Sequence, residues 1–485
     1  MRYHTAPVIV ALFLPLFLFT SSVSAETGQK LSLEEAIKQA LANNLNLKLR
    51  QEDVQAAAGT ALAAEGKFDV FFEAEALAKS EEQAPLILRG SDQEDTTVWN
   101  GAVSKLFDTG TEVSLGYNNS RYDSNLDGLL LNPSYNSGLI LELRQPLLKG
   151  LGREVQTAAL RGSQKQLEAA VYQVDSEAAN LTADVKVAYW NFVFAKQNIG
   201  VQELSLTLAI KLAEETETKI NAGKLAQVEI YQPQSEVARR EENLISAERA
   251  LGTAEDNLKL LLNSQDWLAT YDPVDQPATE PIDLDLPTIL DNALQNRPDI
   301  KAADLASEAA MIEEQRSKDD IRPDLSLIGG VGLAGTDENY GGAIDNSVND
   351  PDNLWQVGIS LSIPLSNATA KGLYQQARAN YSRAKTSAEL LRQQIRRTVR
   401  TTIRDVELAI KALEATRKTS LATLKRLEAE QAKFDSGRAT TFDVLAAQEA
   451  YAQALSQENL TKITYANILA ELDRIQGLVT VSLVQ

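Results

Sequence analysis

Apolar residues recur at alternating spacings of three and four over two long stretches of the chain. In the first stretch they are Val171, Val174, Ala178, Leu181, Val185, Ala188, Phe192, Ala195 and Ile199. This spacing predicts a long helix from about residue 152 to residue 221, roughly 100 Å in length. A returning helix shows a spacing of seven, at Ile230, Val237, Leu244, Leu251 and Leu258. Pro233 departs from this pattern, so the returning helix is expected either to start late or to kink there.

Shorter segments alternate apolar and polar residues with a period of two, which is typical of strands. They are residues 68–76, 98–107, 111–122, 137–143, 323–333 and 354–365, joined by polar loops at 81–96, 123–136 and 335–353. The aromatic residues at or near the predicted strand ends are Trp99, Tyr117, Tyr122, Tyr135, Tyr340 and Trp355. This pattern fits either a soluble sheet with aromatic loop anchors or a membrane β-barrel with aromatic girdles.

The chain repeats itself once. Residues 33–44 resemble residues 286–297, residues 144–147 resemble 362–365, and residues 221–224 resemble 435–438. Each half therefore predicts a helix, strands, a very long helix, a turn and a second long helix. A proline-rich segment, with Pro273, Pro277, Pro281 and Pro287, separates the halves.

The N-terminus predicts a secretory signal peptide over residues 1–25. Arg2 supplies its positive charge, an apolar run covers residues 8–19, and Val23 and Ala25 occupy the small-residue positions of a cleavage site. The alternative is a transmembrane anchor, but the run is short and contains Pro15. A secreted chain favours the membrane-barrel interpretation of the strands.

Composition narrows the chemistry. The 485 residues carry a net charge of −20, which argues against a nucleic-acid partner. There is no cysteine, and the single histidine, His4, lies in the predicted signal peptide. The processed chain would therefore lack the commonest general base, metal ligand and strong nucleophile. The sequence predicts no enzyme activity, no cofactor and no metal site.

Three motifs in this order, residues 145–150, 296–299 and 437–445, together with the signal and the repeat, resemble the TolC-type outer-membrane efflux family. The resemblance implies an α+β membrane protein. A trimeric outer-membrane β-barrel would continue into a long periplasmic α-helical coiled-coil barrel, built from two tandem structural repeats. The family pattern is four strands per protomer and twelve per barrel, and we expect twelve. The hairpin at 98–122 could raise the counts to six and eighteen.

The resemblance also implies a domain plan. Residues 26–66 would form the equatorial helix of the first repeat, 67–147 its barrel strands and 148–262 its long helix pair. Residues 263–285 would link the repeats. In the second repeat, 286–321 would form the helix, 322–366 the strands and 367–477 the long helix pair, before a tail at 478–485.

A periplasmic gate at the helix-turn tips is implied as well. Asp443 matches the principal aspartate of the family's acidic ring, and Glu229 matches an acidic partner. The second ring aspartate falls at Ala446, the latch tyrosine at Phe434 and the latch arginine at Ala439, so Arg438 and Lys224 are the candidate substitutes. Asp443 could equally cap its helix, and both roles can coexist. The turns at Gly223, Lys224, Gly437 and Arg438 are the candidate adaptor-docking tips.

The leading hypothesis is a passive homotrimeric exit duct of a tripartite efflux or type I secretion system. It would lie in outer-membrane lipid and extend into the periplasm, where an adaptor (membrane fusion) protein would connect it to an inner-membrane pump. The alternative is a secreted periplasmic coiled-coil adaptor or structural protein without channel activity. An adaptor would leave the alternating strands and their aromatic residues without a role.

Overall fold

A computed structural model of the chain describes residues 28–82, 93–126 and 128–477. The predicted signal peptide and the tail at 478–485 lie outside these residues. Among the described residues, no helix is both long enough and apolar enough to cross a membrane.

The helices fall into two series, one in each half of the chain, and the long helices of the two series match as the repeat predicts. The first series is α1 (Leu33–Asn43), α2 (Leu45–Glu65), α3 (Arg153–Gln156), α4 (Ala158–Asn221) and α5 (Tyr231–Leu262). The second is α6 (Leu286–Asn296), α7 (Pro298–Asp319), α8 (Tyr340–Asn349), α9 (Ala368–Asp435) and α10 (Thr441–Ile475). The longest helices correspond closely, with 64 residues in α4 and 68 in α9. At about 1.5 Å per residue each is roughly 100 Å long, so the predicted long helices are confirmed.

The proline in the returning helix lies in its first turn. A 3₁₀ turn, Gln227–Ile230, precedes α5, and the helix begins at Tyr231. Pro233 is the third residue of α5, where a backbone N–H would have no intrahelical partner. The N–H that proline lacks is therefore not missed there, and the helix starts late rather than kinking.

The strands are β1 (Gln29–Leu31), β2 (Val70–Glu82), β3 (Gln93–Leu106), β4 (Glu112–Ser124), β5 (Ser134–Pro146), β6 (Tyr271–Pro273), β7 (Asp324–Asp337) and β8 (Asp352–Ser362). A six-stranded antiparallel sheet has the order β2-β3-β4-β5-β7-β8. The hairpin β3–β4 lies inside this sheet, so the expected contribution of four strands from this chain is wrong: the sheet has six. Short strands β1 and β6 pair in parallel elsewhere.

Register gives the sheet two different faces. Along β5 and β7, one face carries Leu139, Leu141 and Leu143 opposite Leu333, Val331 and Gly329. The other face carries polar and small residues, among them Glu73, Glu75, Asn100, Asn118, Glu142 and Gln356. We call the first the outward face and the second the inward face.

The segment between β7 and β8 contains a helix where we expected only a polar loop. Helix α8 spans Tyr340–Asn349 and packs on β7 and β5. Asn339 caps it by accepting a hydrogen bond from the Gly342 N–H. The expectation of a loop throughout residues 335–353 is therefore wrong.

A buried tyrosine joins the long helix α4 to the segment between the repeats. The Tyr189 hydroxyl lies 2.9 Å from the Leu31 carbonyl oxygen and 2.8 Å from Asp275 Oδ2. Burial raises the pKa of Tyr189 well above its ordinary value, so the hydroxyl stays protonated. Tyr465 on α10 makes the equivalent connection by donating to the Glu280 carbonyl oxygen. Both long helix pairs are thus fixed to the inter-repeat segment.

Candidate functional site at the helix-turn tips

The two helix-turn tips have the same backbone geometry. Gly223 follows α4 and Gly437 follows α9, and both have φ +71°, in the left-handed region. In the first tip, the Lys224 N–H donates to the Lys219 carbonyl and the Gly223 N–H to the Ile220 carbonyl. Such a pair of bonds ends a helix in a Schellman motif, which explains the glycine.

The second tip repeats these bonds at corresponding positions. The Arg438 N–H donates to the Lys433 carbonyl oxygen at 2.8 Å, and the Gly437 N–H donates to the Phe434 carbonyl oxygen at 3.0 Å. A Cβ atom added to either tip glycine would meet nothing within 4 Å among the described residues. The space around both tip glycines is therefore open in the single chain.

Beyond the glycines the two tips differ. Thr440 is the N-cap of α10, and Asp443 is three residues into that helix. Asp443 Oδ2 accepts hydrogen bonds from the Thr440 N–H at 2.9 Å and the Thr440 hydroxyl at 2.6 Å, completing a capping box. Glu229, its sequence counterpart, lies instead in the 3₁₀ turn before α5 and is exposed.

The electrostatics of Asp443 follow from this cap. The bonds from Thr440 hold the pKa of the Asp443 carboxyl below its usual value, so the group is ionised at neutral pH. The side chain is exposed in the single chain. The capping role expected as one alternative is confirmed, and the exposed, ionised carboxylate remains available for a second role in an assembly.

The other gate candidates are not brought to Asp443 within one chain. Arg438 Nε donates to Ser436 Oγ at 3.1 Å, which turns the guanidinium back onto its own tip. Lys224 is exposed. Across residues 28–82, 93–126 and 128–477, no hydrogen bond or ion pair joins any two of Asp443, Glu229, Arg438 and Lys224.

Phe434 has a packing role that sequence reasoning missed. Its side chain is 2% exposed and lies in an apolar cluster with Leu212 on α4 and with Val444 and Leu445 on α10. Lys219 Nζ donates to the Phe434 carbonyl oxygen at 2.8 Å and lies 3.3 Å from the ring centroid. The ends of α4 and α9 are therefore joined by a cation and an aromatic ring.

A charged network above the tips was also missed. Arg239 on α5 bonds Glu449 on α10 at 2.6 Å and Glu236 on its own helix at 2.6 Å. Arg240, 4% exposed, also pairs with Glu236 at 2.6 Å. The bond from Arg239 holds the pKa of Glu449 below its usual value. This network joins the returning helices of the two repeats.

The comparisons with known proteins identify the family. The family described as outer membrane efflux protein matches residues 110–264 and 289–478, most of the chain. The chain belongs to this family. The TolC-type resemblance is thereby confirmed. The chain is an efflux duct that lies in the outer membrane and extends into the periplasm.

Individual relatives agree with the family assignment. The outer membrane protein TolC of Vibrio cholerae is 24% identical over 320 residues, covering 64% of this chain and 71% of the relative. The outer-membrane channel OprN superposes with a TM-score of 0.70 at 18% identity, covering 92% of this chain and 89% of OprN. The outer membrane protein VceC of Vibrio cholerae gives 0.68 at 16% identity, covering 92% and 96%. At these identities the structural likeness shows the fold.

Proposed function

We propose that three copies of this efflux family member assemble into one passive duct through the outer membrane and periplasm. The observation that carries the proposal is the six-stranded sheet, which is open at β2 and β8. An open edge leaves backbone N–H and C=O groups unpaired, which lipid does not tolerate. Three such sheets joined edge to edge would close an eighteen-stranded barrel without free edges.

The two faces of the sheet support a membrane position. The outward face exposes large apolar side chains, including Val357 and Ile359 on β8, each 72% exposed in the single chain. The inward face carries Glu73, Glu75 and Glu142, which suit a water-filled interior. A soluble adaptor would leave this apolar face in water, so the sheet favours the duct over the adaptor alternative.

The long helices supply the periplasmic part of the proposed duct. Helix α4 packs against α5, α9 packs against α10, and α4 also contacts α10. Small buried residues such as Ala178, Ala188 and Ala447 allow close helix approach. Three copies would place six such pairs around one tunnel, and such a duct catalyses no reaction.

The tips are the proposed gate and docking region. In a symmetric trimer, three exposed Asp443 carboxylates would face a common axis, with Glu229, Arg438 and Lys224 beside them. A periplasmic adaptor would dock at Gly223, Lys224, Gly437 and Arg438, and an inner-membrane pump would supply the energy. The exposed turns of matching geometry support this docking position.

Light scattering and conductance test the proposal. Purified protein in mild detergent should have three times the protomer mass, and the same material should give discrete conductance steps in a planar bilayer. A monodisperse monomer would contradict the assembly. Full solubility without detergent, together with an absence of conductance, would favour the adaptor alternative.

A further inference from the structure

Helix α8 is seated on the outward face of the sheet, at the end distant from the long helices. A Cβ atom on Gly335 of β7 would lie 2.5 Å from the Ala343 carbonyl oxygen, so the helix backbone rests directly on this glycine. The Tyr340 ring lies 4.5 Å from that of Tyr135 on β5 and 5.9 Å from that of Trp99 on β3, between centroids. Strands and helix therefore form one packed unit.

The helix has three chemically different sides. Ala343 and Ser347 are buried against the sheet. At about 100° per residue, Ile344 and Val348 share one flank, and Asp345 and Asn349 share a polar flank beside it that faces away from the sheet. The polar flank is closed by a hydrogen bond from Asn349 Nδ2 to Asp345 Oδ1 at 2.7 Å. The apolar flank contacts little, since Ile344 is 40% and Val348 is 70% exposed.

The residues under α8 interrupt the apolar face of the sheet. Register places Asn119, Ser137 and Gly335 in one row across β4, β5 and β7. The adjacent row toward the long helices is Tyr117, Leu139 and Leu333. Asn119 is 2% and Ser137 is 1% exposed, so α8 and its tyrosine cover three positions that offer lipid no apolar side chain, and the row regains one only at Trp99 on β3.

The apolar face of the sheet is shorter than the apolar band of an outer-membrane barrel, and the exposed flank of α8 lies where the missing height would be. The outward residues of β7 from Leu325 to Leu333 form five rows, which at two residues per row span about 26 Å along the strand. A tilt of about 40° reduces that to roughly 20 Å, against an apolar band of about 25 Å in outer-membrane barrels. One further apolar row would make up the difference, at the level where α8 replaces the sheet surface.

We infer that α8 is an interfacial helix whose Ile344 and Val348 flank contacts the acyl chains of the outer leaflet, completing the apolar band. The inference rests on the proposed barrel. A helix of this kind, apolar on one flank and polar on the other, lies at the boundary between acyl chains and water.

A neighbouring copy is a poorer occupant for this flank. In the proposed trimer the contact between copies is made at the edges β2 and β8. Helix α8 packs on β7 and β5 rather than on the edge strand β8, and its first residue, Tyr340, reaches Trp99 on β3. Its apolar flank is left to the lipid around the barrel.

Site-directed spin labelling tests the inference, since the chain has no cysteine to remove. Single variants Ile344→Cys and Val348→Cys, and the polar-flank controls Asp345→Cys and Asn349→Cys, would carry a nitroxide in vesicles of phosphatidylethanolamine and phosphatidylglycerol. Ile359→Cys provides the lipid reference and Val228→Cys, at a tip, the water reference. Labels at positions 344 and 348 should give the same ratio of oxygen to nickel-chelate collisions as the label at 359. Labels at positions 345 and 349 should give the ratio of the label at 228.

A second pair of variants tests the seating of the helix. Gly335→Val places a side chain where the α8 backbone lies, so the label at 348 should shift severalfold toward the water reference. Gly329→Val is the matched control, because its added Cβ meets nothing within 4 Å on the same strand and face. It should leave the ratio unchanged.

The outcomes separate this inference from the proposed function. Water-like ratios at 344 and 348 beside a lipid-like ratio at 359 would overturn the interfacial helix and keep the barrel. A label at 344 or 348 shielded from both reagents would also overturn it, by placing protein on the flank. A water-like ratio at 359 would instead overturn the barrel.

Discussion

At the residue scale, the tip side chains are engaged by their own chain before any partner is present. Thr440 and Asp443 stand three apart at the start of an apolar run, and this capping signal can be read from the sequence. The contact of Lys219 with Phe434 joins residues 215 positions apart, and no local pattern predicts it. The resemblance assigned position 434 to a latch, whereas the structure buries that ring inside the protomer.

Asp443 can be tested as a charge and as a cap separately. Three Asp443 carboxylates across a narrow opening would attract cations and share a polyvalent one, so we expect cation-selective conductance with block from the periplasmic side. Asp443→Asn should weaken selectivity and block, as measured by reversal potentials in a salt gradient. Thr440→Val is the control: it removes the capping hydroxyl, costs about 0.5–2 kcal/mol locally and should keep selectivity. Unchanged reversal potentials in Asp443→Asn would leave only the capping role.

The Arg239–Glu449 pair predicts an acid-sensitive connection between α5 and α10. The pKa of Glu449 is lowered in the folded chain, so its stabilisation is complete above the ordinary glutamate pKa and is lost as pH falls through the lowered value. Glu449→Gln should therefore reduce Tm at pH 7, and reduce it less at about pH 3. The pair is partly exposed, so its contribution is at most about 1 kcal/mol.

Circular dichroism melting of the detergent-solubilised protein at both pH values measures this effect. Glu248→Gln, at an exposed position on α5, is the matched control and should follow the wild type. An equal loss of Tm at both pH values in Glu449→Gln would contradict the ionic origin.

At the element scale, periodicity predicted long elements well and short ones poorly. The heptad seam and the glycine turns fixed α4 and its end at Asn221, since many residues contribute to that signal. Helix α8 was missed because its Gly341, Gly342 and Asn/Asp-rich sequence is typical of loops, and its stability comes from packing on Gly335. The pairing of β1 with β6 joins three-residue strands more than 200 positions apart, which periodicity cannot detect.

The tip turns predict where an adaptor docks. Asparagine tolerates a left-handed conformation, and the space around Gly437 is open within the chain, so Gly437→Asn should preserve the turn. If a partner needs the bare tip, Gly437→Asn and Gly437→Asp should both abolish export at unchanged trimer yield. Gly223→Asn and Gly223→Asp should likewise abolish export at unchanged trimer yield. Gly252→Asn, on the exposed surface of α5, is the control and should export normally. Normal export by Gly437→Asn would place the contact elsewhere.

At the scale of the whole molecule, the even number of strands in the sheet determines how copies can join. Six antiparallel strands leave β2 and β8 running in opposite directions. The β8 strand of one copy would therefore pair antiparallel with the β2 strand of the next, and the alternation would continue around a closed barrel. A single sequence predicted the strands of each half, but the position of the extra hairpin within one sheet depends on long-range pairing.

Disulfide cross-linking between β2 and β8 tests this closure. Gln356→Cys on β8 would be combined in turn with Glu73→Cys, Glu75→Cys or Leu77→Cys on β2, because all four positions lie on the inward face. One pair should give dimers and trimers on a non-reducing gel, since its Cβ atoms come within about 4.5 Å. Ala74→Cys with Gln356→Cys is the control, whose side chains point to opposite faces and should not link. A cross-link formed within single chains would show that the sheet closes on itself and would contradict the trimer.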